Sequence, residues 1–194
     1  MKIFTMNIDN TIERIFSCYE KFGDEIYFGE KVTQLQHAFQ AADFARANNA
    51  TDEVVLAAFF HDIGHLCVDA TENNAMDNLG IKEHELVGAQ FLLNCGFSET
   101  VYKLVAAHVP AKRYLAYKYP EYKNKLSEAS LKTLEHQGGI FNDKEALRFE
   151  SDELHPLYIK MRLWDEGAKD EKTPIGDLEE IKNLTKKYLL SIKH

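Results

Sequence analysis

Apolar residues recur at helical spacing along almost the whole chain, and this periodicity restricts the possible folds more than any other feature. The first such segment spaces its apolar residues as i, i+3, i+4 and i+7, the pattern of an amphipathic helix: Ile12, Ile15, Phe16, Tyr19 and Phe22. No stretch alternates convincingly between apolar and polar residues with the period of two that a half-buried strand requires. The pattern therefore predicts an all-α protein.

Capping residues predict where these helices begin and end. Asn10 caps the first helix and Gly23 ends it, whereas Ser98 caps the fifth helix and Pro110 closes it. An irregular stretch, Cys67–Gly80, separates the third helix from the fourth. The predicted helices span residues 10–22, 30–48, 51–60, 81–94, 98–110, 127–136, 143–150, 154–168 and 177–192.

Composition narrows the class of protein. The 194 residues, 45% of them hydrophobic, suit one domain with a substantial core, and no linker or repeat divides them. The longest apolar run, Val54–Phe60, is far shorter than the roughly 20 residues that cross a bilayer. The first residues do not follow a basic-then-apolar pattern, so we expect no secretory leader. A formal net charge of −8 without any basic block argues against a nucleic-acid partner. Three scattered cysteines fit reduced thiols, so we expect a cytoplasmic protein without a membrane partner.

Histidines and aspartates at inward-facing helix positions are the candidates for chemistry. His61-Asp62 directly follows the apolar run, and His108 lies seven residues after Val101 on one helix face. One such histidine is usually a core residue with satisfied hydrogen bonds, and one His-Asp pair is more often a hydrogen-bonded helix end. A buried carboxylate without a partner is costly, however, so several such residues together need a common explanation.

One dinuclear metal centre would explain six of these residues together: His37, His61, Asp62, His84, His108 and Asp165. Four imidazoles and two carboxylates suit iron, manganese, cobalt, nickel or zinc better than magnesium or calcium. The absence of cysteine from the set argues against a structural zinc site. Asp62 would be the bridging carboxylate between the two ions.

Four of these residues occur in the order of the HD-domain metallohydrolase superfamily, which the chain resembles: His37, His61, Asp62 and Asp165. With His84 and His108 the set resembles the six-ligand branch, which contains both hydrolases and mixed-valent di-iron oxygenases. Further stretches resemble the oxygenases that cleave hydroxylated aminophosphonates: residues 27–30, 34–37, 111–115, 126–130, 132–135, 137–139 and 162–166. The resemblance implies a single HD domain over residues 1–194. Its helical bundle surrounds the metal centre at about 27–166, with the terminal helices packed on that core.

The resemblance also implies an activity, that of an oxidoreductase of phosphonate catabolism. Such a dioxygenase holds two iron ions in the mixed-valent Fe(II)/Fe(III) state and uses O₂ to cleave a carbon–phosphorus bond. Its substrate would be 2-amino-1-hydroxyethylphosphonate or an N-methylated analogue, giving a carboxylate such as glycine and inorganic phosphate. One iron would bind to His37, His61, Asp62 and Asp165, and the other to His84 and His108 with Asp62 bridging.

Three catalytic residues follow from the same resemblance: Tyr27, Glu30 and His65. Tyr27 would occupy an iron position until substrate displaces it, and Glu30 would contact the amine of the substrate. The residues expected to bind substrate are Glu30, His65, Lys112, Ser130, Thr133, Gln137 and Arg162. Lys112 is expected just beyond the end of the helix that carries His108, and Ser130 and Thr133 share one helix face.

Other interpretations stay open from the residues alone. Lys112 and Arg162 also suit solvated surface charges, Ser130 a capping residue, and Glu30 a helix N-terminal acid. Two other functions are a metal-dependent phosphohydrolase acting on a nucleotide or small phosphate ester, and a sensor with a degenerate site. We expect Trp164 in the core and the remaining histidines at the surface: His136, His155 and His194. The sequence does not distinguish a free amine from a methylated ammonium, nor does it determine the oligomeric state.

Overall fold

The computed structural model describes residues 7–71, 74–76 and 79–192, and these form ten α-helices and one 3₁₀ turn. The helices are α1 (Ile8–Phe22), α2 (Gln34–Ala47), α3 (Asp52–Phe60), α4 (His84–Asn94), α5 (Glu99–Lys118), α6 (Pro120–Lys123), α7 (Glu128–His136), α8 (Asp143–Glu150), α9 (His155–Gly167) and α10 (Leu178–Ser191). The 3₁₀ turn is Ile63–His65. Within the described residues there is no strand, only two isolated β-bridges, so the all-α prediction is confirmed.

Helices α3 and α5 form the centre of the fold. The run Val54–Phe60 is buried on every side of α3, which explains why it is apolar without a polar face. Helix α5 packs on α3, α4, α8 and α9, and helix α2 packs on α3 and α9. Helices α1 and α10 pack together, and α10 also contacts α3. Because α3 ends inside the core, His61-Asp62 directly after it are placed inside as well.

The starts of three helices differ from the sequence-based prediction, and α4 begins at His84 rather than at residue 81. Asn7, not Asn10, caps α1, because the Asn7 side chain accepts a hydrogen bond from the backbone N–H of Asp9 at 3.0 Å. Helix α2 begins at Gln34, where Thr33 and Gln36 form a reciprocal capping box. The segment from Tyr27 to Thr33 is therefore a loop, and its residues are free to turn towards the interior.

Pro110 does not end α5, and the prediction that it does is wrong. The helix continues through Pro110 to Lys118, because the buried neighbours on both sides of the proline hold it against the core. A proline removes one helical N–H donor, which tertiary packing can offset. Lys112 thus lies one turn after His108 on the same helix, and not beyond its end. The short helix α6 was not predicted.

None of the helices in the described ranges is long and apolar enough to cross a bilayer. His194, which we expect at the surface, lies outside the described residues, and so do Glu72 and Asp77 of the irregular stretch.

Candidate metal centre

Five helices bring the six predicted ligands to one place in the core. α2 carries His37, the end of α3 leads into His61 and Asp62, α4 begins with His84, α5 carries His108 and α9 carries Asp165. All six side chains are buried, and they form two groups of potential ligands that share Asp62. The first group is His37, His61, Asp62 and Asp165, and the second is Asp62, His84 and His108.

The two carboxylate oxygens of Asp62 face different groups. Oδ2 lies 3.5 Å from Nε2 of His37 and 3.3 Å from Nε2 of His61. Oδ1 lies 3.3 Å from Nε2 of His84 and 3.2 Å from Nε2 of His108. Asp165 completes the first group, with Oδ1 at 3.3 Å from Nε2 of His37. The geometry is that of a carboxylate shared between two adjacent cation sites.

Backbone carbonyl groups fix the tautomer of all four histidines. Each Nδ1 lies within hydrogen-bond distance of a carbonyl oxygen: His37 to Ala168 at 2.8 Å, His61 to Ala58 at 2.8 Å, His84 to Ile81 at 3.1 Å and His108 to Val105 at 2.7 Å. Because a carbonyl can only accept, Nδ1 carries the proton and the Nε2 lone pair points to the centre.

The Nε2 atoms of neighbouring histidines are placed to bind a metal ion and not to hydrogen-bond with each other. Nε2 of His37 lies 3.1 Å from Nε2 of His61, and Nε2 of His84 lies 3.0 Å from Nε2 of His108. With both Nδ1 atoms protonated, each pair brings two lone pairs together, an arrangement that a cation between them relieves. The residues present therefore fit a dinuclear site for metals that accept imidazole and carboxylate ligands.

Both aspartates of the centre are anionic. Burial opposes ionisation of Asp62, but the histidines around it, His61 first among them, hold its pKa well below the usual range. Burial likewise opposes ionisation of Asp165, and the guanidinium of Arg162 beside it keeps that pKa well below normal. Two buried carboxylates in this state supply the negative charge that metal cations require.

Gly64 allows the 3₁₀ turn to approach the start of α4. A Cβ atom at this position would lie 1.9 Å from the carbonyl oxygen of His84, far inside van der Waals contact. Only glycine permits this approach without a backbone shift. The contact places Asp62, two residues before Gly64, beside His84.

A small cavity of about 40 Å³ adjoins the centre, with Asp62, His84, His108 and Asp165 in its wall. All the residues predicted to act on the substrate also line it: Tyr27, Glu30, His65, Lys112, Ser130, Thr133, Gln137 and Arg162. Met76 and Leu79 line it too, so part of the irregular stretch reaches the cavity. The structure thus brings the predicted residues together, while their roles stay predictions.

Tyr27 and His65 lie on opposite groups of the centre. The Tyr27 ring stacks on His37 with 3.9 Å between centroids, and its hydroxyl donates to Oδ2 of Asp62 at 2.9 Å. Burial, reinforced by the charge of Asp62, raises the pKa of Tyr27 well above normal, so the phenol is neutral. His65 stacks on His84 at 3.9 Å and accepts the Ile81 N–H at Nδ1, which leaves its proton on Nε2.

The two predicted cations differ in their surroundings. Nζ of Lys112 donates to Oγ1 of Thr133 at 2.9 Å, and burial lowers the pKa of this lysine to about 7. Arg162 is buried and its guanidinium is already paired with the carboxylates of Asp165 and Glu166. We therefore expect Arg162 to orient Asp165, and its contact with substrate stays a prediction.

Sequence reasoning missed Lys169 as a site residue. Its Nζ lies 2.7 Å from Oε1 of Glu30 and 3.4 Å from Oγ of Ser130, and the residue lines the cavity. Ser127, the N-cap of α7, also donates to Oε1 of Glu30 at 2.8 Å. Lys169 follows the end of α9, and nothing local predicts its contact with a loop 139 residues earlier.

The remaining residues differ in how well they match expectation. Trp164 is buried in the core as predicted, and His136 is exposed. His155 is half-buried: its ring contacts Phe149 with 6.4 Å between centroids. His155 is therefore only partly at the surface, because the first turn of α9 packs beside α8.

The chain is similar to a known protein family and to several known proteins. The model of the HD domain family matches residues 34–135. An uncharacterized protein of Acanthamoeba polyphaga mimivirus is 40% identical over 190 residues, which cover 96% of this chain and 87% of that protein.

Two similar proteins have names that state an activity. The hydroxymethylphosphonate dioxygenase of Gimesia maris is 40% identical over 170 residues, covering 87% of this chain and 84% of that protein. The [1-hydroxy-2-(trimethylamino)ethyl]phosphonate dioxygenase (glycine-betaine-forming) of Leisingera caerulea is 37% identical over 171 residues, covering 87% and 86%. The chain therefore belongs to the HD-domain family and fits the oxygenase branch of that family.

Proposed function

We propose that the protein is a dioxygenase that uses O₂ to cleave the carbon–phosphorus bond of an α-hydroxylated phosphonate. The observation that carries the proposal is Asp62, whose two oxygens face two histidine pairs beside a cavity lined by cations. The names of two relatives at 37–40% identity support the same class of reaction.

The proposed reaction converts R–CH(OH)–PO₃²⁻ and O₂ into R–COO⁻, HPO₄²⁻ and H⁺. One C–H bond and the C–P bond break, and each supplies two electrons, so that O₂ is reduced by four electrons. One oxygen atom joins carbon and the other joins phosphorus. The protein must therefore bind a dianionic group and keep the hydroxylated carbon near the centre.

We propose two iron ions in the mixed-valent Fe(II)/Fe(III) state as the cofactor. His37, His61, Asp62 and Asp165 would hold one ion, and Asp62, His84 and His108 the other. When bound, the pair supplies the redox chemistry with O₂ that no side chain of the chain can perform. The carbonyl groups that fix each Nδ1 hold the ligands in place before the ions bind.

Donors on one side of the cavity suit the phosphonate oxygens. Lys112 and Thr133 form a hydrogen-bonded pair there, and a nearby dianion favours the charged form of the lysine. His65 offers an Nε2–H, because its Nδ1 already accepts from the backbone. Ser130 and Gln137 line the same cavity, where the Ser130 hydroxyl and the Gln137 amide N–H can act as further donors.

Tyr27 would restrain the centre until substrate enters. Its hydroxyl contacts the shared carboxylate and its ring covers His37, so a substrate that approaches Asp62 must displace it. This arrangement would delay oxygen chemistry until substrate is present, which avoids unproductive oxidation.

The free thiols of Cys18 and Cys67 support a reducing, cytoplasmic setting for the protein.

The resemblance in sequence leads to a narrower expectation about the substrate. It predicts 2-amino-1-hydroxyethylphosphonate or an N-methylated analogue, with glycine or its methylated form as product. Glu30 would then pair with the cationic nitrogen, and this role stays a prediction.

The test is oxygen uptake measured together with phosphate release from α-hydroxyphosphonates by iron-loaded protein. We expect one phosphate for each O₂ consumed, and electron paramagnetic resonance should detect the mixed-valent state. The variant Asp62→Asn, which weakens the shared ligand, should lose both oxygen uptake and phosphate release. Phosphate released from phosphate esters without oxygen consumption would instead establish the phosphohydrolase.

A further inference from the structure

An ion pair lies where the cavity beside the metal centre adjoins an outer cleft. Glu30 and Lys169 both line the inner cavity, and both also line an outer cleft together with the exposed residues Gly29, Lys31, Asp170, Glu171 and Lys172. Their charged atoms are 2.7 Å apart, and each side chain is less than one fifth exposed. The pair therefore stands at the end of the cavity that points away from the core.

Glu30 is the anionic group at that end. Among the described residues that line the cavity, three are carboxylates: Glu30, Asp62 and Asp165. The latter two face the histidines of the metal centre. A cationic nitrogen on the substrate would therefore have Glu30 as its available carboxylate partner.

Lys169 already occupies the position beside the Glu30 carboxylate. Its ammonium binds Oε1 of Glu30, which also accepts a hydrogen bond from Ser127 at 2.8 Å. The same ammonium lies 3.4 Å from Oγ of Ser130, on the cavity wall. The charge of Glu30 is thus neutralised by the protein itself.

We propose that Lys169 determines substrate specificity, in that its ammonium takes the place a substrate amine would need. The site then favours α-hydroxylated phosphonates without a cationic amine, of which hydroxymethylphosphonate is the smallest. This inference rests on the proposed function. With R as hydrogen, hydroxymethylphosphonate and O₂ would give formate, HPO₄²⁻ and H⁺.

The physical reason is repulsion between like charges in a poorly hydrated place. A substrate ammonium that approaches Glu30 either displaces Lys169 from two hydrogen bonds or comes next to a second positive charge. A substrate without the amine meets neither difficulty. This outcome differs from the aminated substrate that the sequence predicts, and one experiment decides between them.

The experiment compares hydroxymethylphosphonate with 2-amino-1-hydroxyethylphosphonate on iron-loaded enzyme. We expect the wild-type kcat/KM for hydroxymethylphosphonate to be higher by about tenfold or more. Lys169→Met frees Glu30 and should raise kcat/KM for the aminated compound by about tenfold. Lys169→Arg keeps the charge and should keep the wild-type preference.

Two further variants make the comparison specific. Lys31→Met removes a lysine from the outer cleft alone and should leave the ratio of the two kcat/KM values unchanged. The double variant Glu30→Gln with Lys169→Met should not show the increase in kcat/KM for the aminated compound, because the freed carboxylate is then absent. If that double variant keeps the gain, the role of Glu30 in the proposal is overturned.

Anaerobic titration calorimetry provides a readout that does not depend on turnover. Wild-type protein should bind hydroxymethylphosphonate more tightly than the aminated compound, and Lys169→Met should narrow or reverse this difference. Equal or tighter binding of the aminated compound by wild type would overturn the role of Lys169, even if both compounds are turned over. Absence of O₂-dependent phosphate release from either compound would overturn the proposed function instead, and the binding order would still test Lys169.

Discussion

The hydroxyl of Tyr27 donates a hydrogen bond of 2.9 Å to Oδ2 of Asp62, the oxygen that faces His37 and His61. The ring of the same tyrosine stacks on His37. One residue of the loop before α2 therefore contacts both the shared carboxylate and one histidine of the first group. Because this loop is not part of a helix, it can move without unfolding the core.

Tyr27→Phe keeps the ring on His37 and removes the hydroxyl from Asp62. We expect unchanged metal content but a severalfold increase in oxygen uptake without substrate, because the hydroxyl no longer holds Oδ2 of the shared carboxylate. Oxygen-electrode traces and metal analysis measure the two effects. Tyr117→Phe, which removes a hydroxyl that binds the exposed Asp143, is the matched control. Equal substrate-free uptake in the wild type and in Tyr27→Phe would contradict the restraining role.

The sharing of Asp62 predicts how metal content depends on the ligands. His108→Ala removes one of the two imidazoles of the second group, so bound metal should fall from about two ions to about one. Metal analysis after desalting measures this number. His155→Ala, a change outside both groups, should retain the full content, and an equal loss in this control would indicate general destabilisation.

The lowered pKa of Lys112, about 7, predicts a pH dependence of stability. Between this value and the ordinary 10.5 the unfolded chain binds the proton and the folded chain does not, so wild-type stability rises with pH. The stability of Lys112→Met lacks this rise. The advantage of the variant over wild type in the free energy of unfolding should therefore be largest below pH 7. From pH 7 to 9 that advantage should shrink by about 2 kcal/mol in the free energy of unfolding.

Urea unfolding at several pH values measures this difference. Lys144→Met changes an exposed lysine of α8 and should differ from wild type by a constant amount. If the stability difference between Lys112→Met and wild type is also constant with pH, burial does not perturb the pKa of Lys112.

Gly64→Ala should be strongly destabilising. The added Cβ would meet the carbonyl oxygen of His84 at 1.9 Å, so the 3₁₀ turn must separate from α4. We expect a loss of at least about 3 kcal/mol in the free energy of unfolding, together with loss of bound metal. Gly139→Ala is the comparison: its φ is +71°, but a Cβ added there would have no heavy atom of the described residues within 4 Å apart from its chain neighbours, so a loss of about 1 kcal/mol is expected. Similar losses in both variants would contradict a close-packing role for Gly64.

Local sequence predicted the helices well where the hydrophobic pattern and the capping residues act within a few residues of each other. Helices α7 and α8 match the prediction within a residue at each end. The prediction failed at Pro110, where packing on both sides of α5 offsets the missing N–H. It also failed for the loop before α2, where the Thr33 capping box starts the helix later than its apolar pattern suggests.

The ligand set could be predicted because each member combines a metal-binding side chain with an inward-facing position on its own helix. Both properties depend on residue type and local spacing, which the chain carries without reference to its partners. The division of the six residues into two groups around Asp62 depends on how five helices cross. That division was predicted from the family resemblance, and only the packed core gives the distances between the ligand atoms.

By itself the sequence determined the fold class, the helices and the kinds of atoms available for a metal centre, because these follow from short-range periodicity and side-chain chemistry. The tertiary structure alone decided which charges meet at the cavity. It pairs Arg162 with Asp165 and Glu166, and it pairs Lys169 with Glu30 across 139 positions of the chain. Such pairs form where helix ends and loops pack together, and no local pattern encodes the balance of charge that results.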